Sequence, residues 1–140
     1  MRRAVAVAAL LLVALAASPA AADSSRTITG TPRADTLVGS PRGDLVRGLG
    51  GDDTIRARGG PDTVQAGTGD DRVGGGPGGD HLYSGAGNDR VLGGDGNDVI
   101  ELRPGGGRDV VRCGPGTDEV IGVGDDDSLS GCEIPRPTVR

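Results

Sequence analysis

Aspartate and aliphatic residues recur along this chain with a period of nine residues. From residue 30 onwards an aspartate returns every nine residues, and an aliphatic residue stands two positions after each one. One irregular step of eleven residues, around Leu102-Arg103-Pro104, separates two regular runs. The eleven aliphatic residues predict eleven short strands, each with its central side chain inward and its neighbours outward. The aspartates are Asp35, Asp44, Asp53, Asp62, Asp71, Asp80, Asp89, Asp98, Asp109, Asp118 and Asp127.

Glycine fills the space between the predicted strands, most regularly at the second and fourth positions of each nine-residue unit. The clearest units are residues 84–92, Ser-Gly-Ala-Gly-Asn-Asp-Arg-Val-Leu, and residues 93–101, Gly-Gly-Asp-Gly-Asn-Asp-Val-Ile-Glu. Glycine is required where φ is positive or where two backbones approach closely. Each unit is therefore predicted to be a sharp turn followed by a short strand.

The composition excludes a conventional globular core. The 140 residues include 28 glycines and 9 prolines, but one tyrosine and no phenylalanine or tryptophan, the residues that usually dominate core burial. So much glycine and proline without a period would indicate disorder, and the regular period argues against that. The net charge of −5 argues against nucleic acid as a partner and favours a cation.

The units at residues 84–101 fit the pattern G-G-x-G-x-D-x-U-x. They resemble the nonapeptides of the RTX, or hemolysin-type calcium-binding, repeat family, and the resemblance extends over residues 30–130. It implies an all-β fold, a parallel β-roll (a right-handed β-helix or solenoid) in which two nonapeptides form one rung. Aspartates 18 residues apart then stack on one edge of the roll.

Stacked aspartates need a cation between the turns. Carboxylates about 4.8 Å apart repel by roughly 0.9 kcal/mol per pair even at the dielectric of water. Calcium accepts about six to eight oxygen ligands in a flexible shell, whereas magnesium demands a tight octahedron and zinc prefers Cys and His. The resemblance implies several Ca²⁺ ions, held by aspartates and by carbonyl groups of the glycine turns. The predicted ligands are Asp53, Asp71, Asp80, Asp89, Asp98, Asp109 and Asp118, with Gly85, Gly87, Gly94 and Gly96.

Several units depart from the repeat pattern. The first two have Arg33 and Arg42 at the fourth position, and are predicted to cap the roll, with the arginines offsetting the aspartates of their own units. The units of Asp62 and Asp127 also deviate and are not assigned as ligands.

The two cysteines, Cys113 and Cys132, are 19 residues apart, close to one rung. On neighbouring rungs of the same edge they are near enough to form a disulfide that closes the last rung. Two free thiols or a redox pair are the alternatives, although the spacing is not C-x-x-C. The predicted roll spans residues 30–134, with Ile134 over its open end, and residues 135–140 form a flexible tail.

The N-terminus has the pattern of a secretory signal peptide. Two arginines precede an apolar run from Ala4 to Ala17, and small residues follow up to Ala22, where we expect cleavage. The alternative is a transmembrane anchor, but a run of 14 residues is short for a span, which needs about 20. Residues 1–22 are therefore predicted to be the signal, and residues 23–29 a short polar lead-in. The mature chain is expected outside the cell, without a membrane anchor.

The sequence is compatible with two functions. The first is a secreted calcium-binding repeat protein that folds on binding Ca²⁺. The second is an extracellular structural or adhesive surface module, in which calcium is only a staple. Its outward positions begin with threonines but continue with Arg72, His81, Arg90 and Val99, so no regular ladder persists. No protein or glycan partner can be named.

An enzyme is not expected. His81 is the only histidine, the chain has no lysine, and there is no G-x-S-x-G nucleophile elbow.

Overall fold

The computed structural model describes residues 25–103 and 106–133, which form a parallel β-solenoid. Among these residues there is no helix, and hence none long and apolar enough to cross a membrane. The predicted signal peptide, Ile134 and the tail lie outside the described residues. The strands are β1 Thr27–Thr29, β2 Thr36–Val38, β3 Leu45–Gly50, β4 Thr54–Arg56, β5 Thr63–Thr68, β6 Arg72–Pro77, β7 His81–Ala86, β8 Arg90–Asp95, β9 Val99–Glu101, β10 Val110–Arg112, β11 Glu119–Ile121 and β12 Ser128–Ser130.

Alternate strands belong to two different six-stranded sheets. The first, sheet A, has the order β1-β3-β5-β7-β9-β11, and the second, sheet B, the order β12-β10-β8-β6-β4-β2. Within each sheet neighbouring strands are parallel, and partners within each regular run lie 18 residues apart, as Val46 and Val64 do in sheet A. One rung therefore contains two nonapeptides, which confirms the predicted all-β parallel roll.

The irregular step in the sequence does not break the roll. Across it Val91 pairs with Val111, and Ile100 pairs with Val120, so the partners are 20 residues apart. The two additional residues are accommodated between β9 and β10. The strand register resumes after them, as the sequence predicts.

The core lies between the two sheets, and each sheet contributes a row of aliphatic side chains to it. From Val46 to Val120 the central residue of each strand is buried, while the residues on either side of it are more exposed. Small buried residues such as Ala57 and Ala66 fill the space near the turns. The interior is narrow enough that one aliphatic residue per strand closes it, without any aromatic side chain.

The roll begins earlier than the repeats do. The lead-in contributes strand β1, in which Ile28 lies opposite Val46 and packs against the core. Just before it, the backbone N–H of Arg26 donates to Oδ1 of Asp44 at 2.6 Å. Arg26 thus takes the backbone place that an aspartate holds in later rungs.

A disulfide fastens the C-terminal rung. Cys113 and Cys132 are joined, with their Cα atoms 5.0 Å apart, which confirms the predicted pair. Cys113 is buried in the core, and its backbone N–H donates to the carbonyl oxygen of Ser130 at 3.2 Å. The bridge thereby ties the last strand, β12, to β10.

Candidate metal centre

The sixth-position aspartates from Asp44 to Asp118 are buried, and those of the first and last units, Asp35 and Asp127, are half-buried. From Asp53 onwards, Oδ1 of each accepts a hydrogen bond from the backbone N–H of the aspartate one rung earlier, at 2.7 to 3.0 Å. These bonds connect the aspartates into two columns, as the resemblance to RTX repeats implied. One column is Asp35, Asp53, Asp71, Asp89, Asp109 and Asp127, and the other is Asp44, Asp62, Asp80, Asp98 and Asp118.

The second carboxylate oxygen of most of these aspartates has no partner. Seven Oδ2 atoms are buried and accept no hydrogen bond from the described part of the chain. A buried charged oxygen without a donor is costly, because it has lost its water and gained nothing in exchange. The seven atoms belong to Asp53, Asp62, Asp71, Asp80, Asp89, Asp98 and Asp118.

At the ends of the roll the second oxygen is satisfied by the protein itself. Oδ2 of Asp35 accepts from the backbone N–H and the hydroxyl of Thr31, and Oδ2 of Asp44 accepts from the backbone N–H of Ser40. At the other end, Gly124 donates to Oδ2 of Asp127 at 2.7 Å. The sequence analysis expected Arg33 and Arg42 to offset the charge of the first two aspartates; the hydrogen bonds to their Oδ2 atoms come from Thr31 and Ser40.

Burial shifts the acidity of the central aspartates upward. Desolvation, with a smaller contribution from the charges of neighbouring aspartates, raises the pKa of Asp62, Asp71, Asp80 and Asp89 to about 6. The same causes raise the pKa values of Asp53, Asp98 and Asp109. At Asp44 desolvation also raises the pKa, but the hydrogen bonds from Ser40 and Arg26 outweigh it and leave the pKa lowered. The central columns therefore hold charge that the protein does not compensate.

The glycines of the turns have the geometry that the sequence predicted. Gly85, Gly87, Gly94 and Gly96 all have φ between 99° and 138°, a region that other residues rarely adopt. A Cβ atom on Gly94 would also overlap the carbonyl oxygen of Gly76, one rung earlier. Turn backbones are therefore stacked closely, glycine on glycine, along each edge of the roll.

The side chains alone do not form a metal site. In residues 25–103 and 106–133 no three Asp, Glu, His or Cys side chains come together as a group that could hold a metal ion. Main-chain carbonyls of the glycine turns are the further oxygen donors that the repeats offer beside the aspartates. Carboxylate and carbonyl oxygens together form an all-oxygen donor set, which fits a hard cation such as Ca²⁺.

A second ladder, which the sequence analysis missed, runs along one edge at the fifth position of the units. The backbone N–H of Asp70 donates to Asp52, that of Asn88 to Asp70, and that of Arg108 to Asn88, each at 2.8 to 3.0 Å. On the other edge Thr117 donates to Asn97 in the same way. The sequence feature that could have predicted this ladder is the recurrent Asp or Asn just before the sixth position. These exposed side chains hold consecutive turns in register.

Comparison with known families finds the RTX calcium-binding nonapeptide repeat in four copies, at residues 29–64, 47–81, 65–100 and 74–111. Together these matches cover more than half of the chain. The chain belongs to the RTX calcium-binding repeat family. Comparison with curated proteins and with solved structures finds no match.

Membership of the RTX family makes this chain a calcium-binding β-roll protein. The repeat is a calcium-binding structural module and not a typical enzyme family. RTX repeat proteins are typically secreted, and the disulfide fits an oxidising, extracellular location. The all-oxygen donor set of the central turns agrees with the metal that the family name gives.

The predicted aspartate ligands differ in whether their Oδ2 atom is buried without a hydrogen-bond partner. Six of the seven predicted aspartates have an unpaired buried Oδ2, whereas the Oδ2 of Asp109 is not among those atoms, although Asp109 is buried. Asp62, which the sequence analysis did not assign, has the same environment as Asp80. Its unit deviates at Arg58 and Pro61, yet its aspartate stays in phase, and phase is the signal that identifies it.

Proposed function

We propose that this protein is exported, binds several Ca²⁺ ions along both edges of its roll, and folds when it binds them. The proposal joins three elements: the calcium-binding family, the uncompensated charge in the central turns, and the signal-like sequence of residues 1–22. No enzymatic step is assigned to the chain.

The observation that carries the proposal is the set of seven buried, unpaired Oδ2 atoms. In each column they recur once per rung, and they are absent from the end turns that Thr31, Ser40 and Gly124 satisfy. Because the uncompensated charge recurs from rung to rung, a cation bound in each of these rungs would compensate it. Calcium supplies positive charge there and a shell of oxygen bonds that spans neighbouring turns.

Each side chain has a definite part in this proposal. The metal ions are held through Oδ2, the carboxylate oxygen that does not bond to the previous rung. The aspartates that supply it are Asp53, Asp71, Asp80, Asp89, Asp98, Asp109 and Asp118. Asp62 joins them on the evidence of its unpaired Oδ2. The other oxygen, Oδ1, keeps the aspartate fixed to the backbone of the previous rung. The carbonyl groups of Gly85, Gly87, Gly94 and Gly96 complete the donor set.

Binding and folding are coupled in this account. Without the metal, at neutral pH, the central rungs must bury several carboxylates that lack compensation, and each strand contributes only one central aliphatic side chain to the core. Because the unfolded chain has no preformed site, the free energy of binding becomes free energy of folding. Coupling of this kind keeps the chain unfolded in a low-calcium cell interior and lets it fold after export.

The test is to count the bound ions in wild-type and substituted protein. Equilibrium dialysis against calcium should give several ions per chain for residues 23–140, and at least one fewer for Asp80→Asn. Asp127→Asn is the matched control, because Oδ2 of Asp127 already accepts a hydrogen bond from Gly124. Equal counts in Asp80→Asn and wild type, or no calcium bound at all, would contradict the proposal.

A further inference from the structure

Sheet B carries a stripe of arginines on its outer surface. Its outward side chains form two columns of six, one at the first and one at the third residue of the core triplet in each strand. The twelve positions include four arginines and no acidic residue. The columns are Thr36, Thr54, Arg72, Arg90, Val110 and Ser128, and Val38, Arg56, Gly74, Leu92, Arg112 and Ser130.

The arginines surround a shallow groove of about 680 Å³. Gly74 forms part of its floor, and no side chain fills the space above that residue. Arg58, from the turn after β4, lines the same groove. We call Arg56, Arg58, Arg72, Arg90 and Arg112 the arginine stripe. All five side chains are exposed, on a chain whose net charge is −5.

The arrangement costs stability within the roll itself. Arg72 and Arg90 lie directly opposite each other on neighbouring parallel strands, where like charges repel. Within the described residues none of the five arginines forms an ion pair. The charge of Arg90 does act on one acidic group, Asp70 at the edge of the sheet. Hydrogen bonds from Asn88 lower the pKa of Asp70, and the charge of Arg90 lowers it by a smaller amount. An external anion would remove this repulsion.

The opposite face differs in charge. The outward positions of sheet A include Arg47, but also Glu101 and Glu119, so no stripe of one sign forms there. Of the two outer faces, only that of sheet B carries outward charges of a single sign.

We propose that the arginine stripe binds a linear anionic polysaccharide, one that carries sulfate or carboxylate groups. The planar guanidinium group donates two parallel hydrogen bonds to such groups. The stripe runs along the roll axis, and Arg72 and Arg90 follow each other at the strand spacing of about 4.8 Å, so it fits a single chain with closely repeated charges. Between the arginines, the exposed apolar side chains of Leu92 and Val110 offer contact to the C–H faces of sugar rings.

Other polyanions fit this surface less well. Single-stranded nucleic acids are usually held by aromatic side chains that stack on the bases, and none of the twelve outward positions is aromatic. A lipid surface would meet charges that line a groove, with only isolated apolar side chains beside them. The polysaccharide is therefore the occupant that the shape, charge and chemistry of the groove favour.

The test compares dextran sulfate with uncharged dextran, which has the same backbone. Binding is measured in calcium, with far-UV circular dichroism confirming the fold of every variant. Wild type should bind dextran sulfate and not dextran. Arg72→Gln/Arg90→Gln should bind roughly fivefold to thirtyfold more weakly, as expected for the loss of two exposed charge contacts. Arg33→Gln/Arg47→Gln, which removes the same net charge elsewhere, should stay within about twofold of wild type.

Further arms separate the possible ligands. Hyaluronan, which carries carboxylates and no sulfate, tells which of the two groups the stripe prefers, and binding to either polymer through Arg72 and Arg90 supports the proposal. It is overturned if neither polymer binds the folded protein, or if the two double variants lose affinity equally. Tighter binding to duplex DNA or to anionic vesicles than to both polymers would also overturn it. Because the fold of every variant is monitored separately, a loss of polymer binding is distinguished from a loss of the calcium-dependent fold.

Discussion

Asp62 and Asp80 are joined by a hydrogen bond of 2.9 Å, from the backbone N–H of Asp62 to Oδ1 of Asp80, while Oδ2 of Asp80 is buried without a donor. One half of the carboxylate thus stabilises the stack of rungs, and the other half opposes it. The same opposition between Oδ1 and Oδ2 recurs along both columns. It explains why an aspartate occupies a buried position.

Removing the charge of Asp80 should stabilise the metal-free roll. In Asp80→Asn the carbonyl oxygen can keep the bond from Asp62 and the buried charge is lost, so folding in chelator should become more favourable by on the order of 1 kcal/mol. The readout is the concentration of a folding osmolyte that induces half of the β signal in chelator, which should fall.

Asp44→Asn should have the opposite effect. Both oxygens of Asp44 accept hydrogen bonds, from Arg26 and Ser40, so an amide must lose one of them in either orientation. We expect a loss of about 1–3 kcal/mol in the same osmolyte experiment. A shift of the two variants in the same direction would contradict this account of the end turns.

The metal-free roll should be more stable at mildly acidic pH. Folding raises the pKa of Asp62, Asp71, Asp80 and Asp89 from 3.8 to about 6, so these groups favour the folded state most below pH 3.8, and this contribution is lost as the pH rises through about 6. In chelator, the β signal by circular dichroism should be greater at pH about 5 than at about 7.5.

Calcium should reverse that dependence. The metal requires ionised carboxylates, so its binding should weaken as the pH falls from about 7.5 to about 5. A calcium affinity that is constant over this range would show that the buried aspartates are not ligands.

Substitution of a turn glycine should be far more damaging than substitution of a strand glycine. Gly94 has φ of 123°, and a Cβ there would overlap Gly76, so Gly94→Ala should lower the free energy of unfolding in calcium by at least about 2 kcal/mol. Gly74 has open space at its Cβ position, so Gly74→Ala should leave the free energy of unfolding unchanged or raise it by about 0.5 kcal/mol. Urea unfolding in calcium compares the two, and equal losses would argue against close stacking of the turns.

The disulfide should stabilise the roll mainly by restricting the unfolded chain. Cys113→Ala/Cys132→Ala should lose about 3 kcal/mol, the value expected for a loop closed by two cysteines with a sequence separation of 19. Urea unfolding with and without a reducing agent measures it. Wild type in reductant should approach the double variant, and an oxidised wild type no more stable than that variant would contradict the prediction.

Much of the fold could be predicted from the period alone. The phase of Asp and aliphatic residues predicted the strands, because a solenoid repeats one local rule. The resemblance to RTX repeats implied the rung of two units, and on that basis both columns were expected to continue through Asp109 and Asp118, as they do. Strand β1 lacks the aspartate of the repeat, and so the pattern did not reveal it. Its place depends on a backbone donor, Arg26, that any residue type can supply.

The site was predicted less completely than the fold. Sequence phase identifies the aspartates, but not which oxygen is already paired, since that depends on whether a residue such as Thr31 or Ser40 stands in the turn. The arginine stripe was hidden for a different reason. Read in chain order, Arg72, His81 and Arg90 show no ladder, but alternate units belong to different sheets, and this separation brings Arg72 and Arg90 together.

Far-UV circular dichroism of residues 23–140, in chelator, in magnesium and in calcium, tests the central claim most directly. The account predicts a coil spectrum at neutral pH in chelator and in magnesium, and a β spectrum only when calcium is added. A β spectrum of the same strength in chelator would contradict it, because the seven buried Oδ2 atoms would then be tolerated without a metal ion.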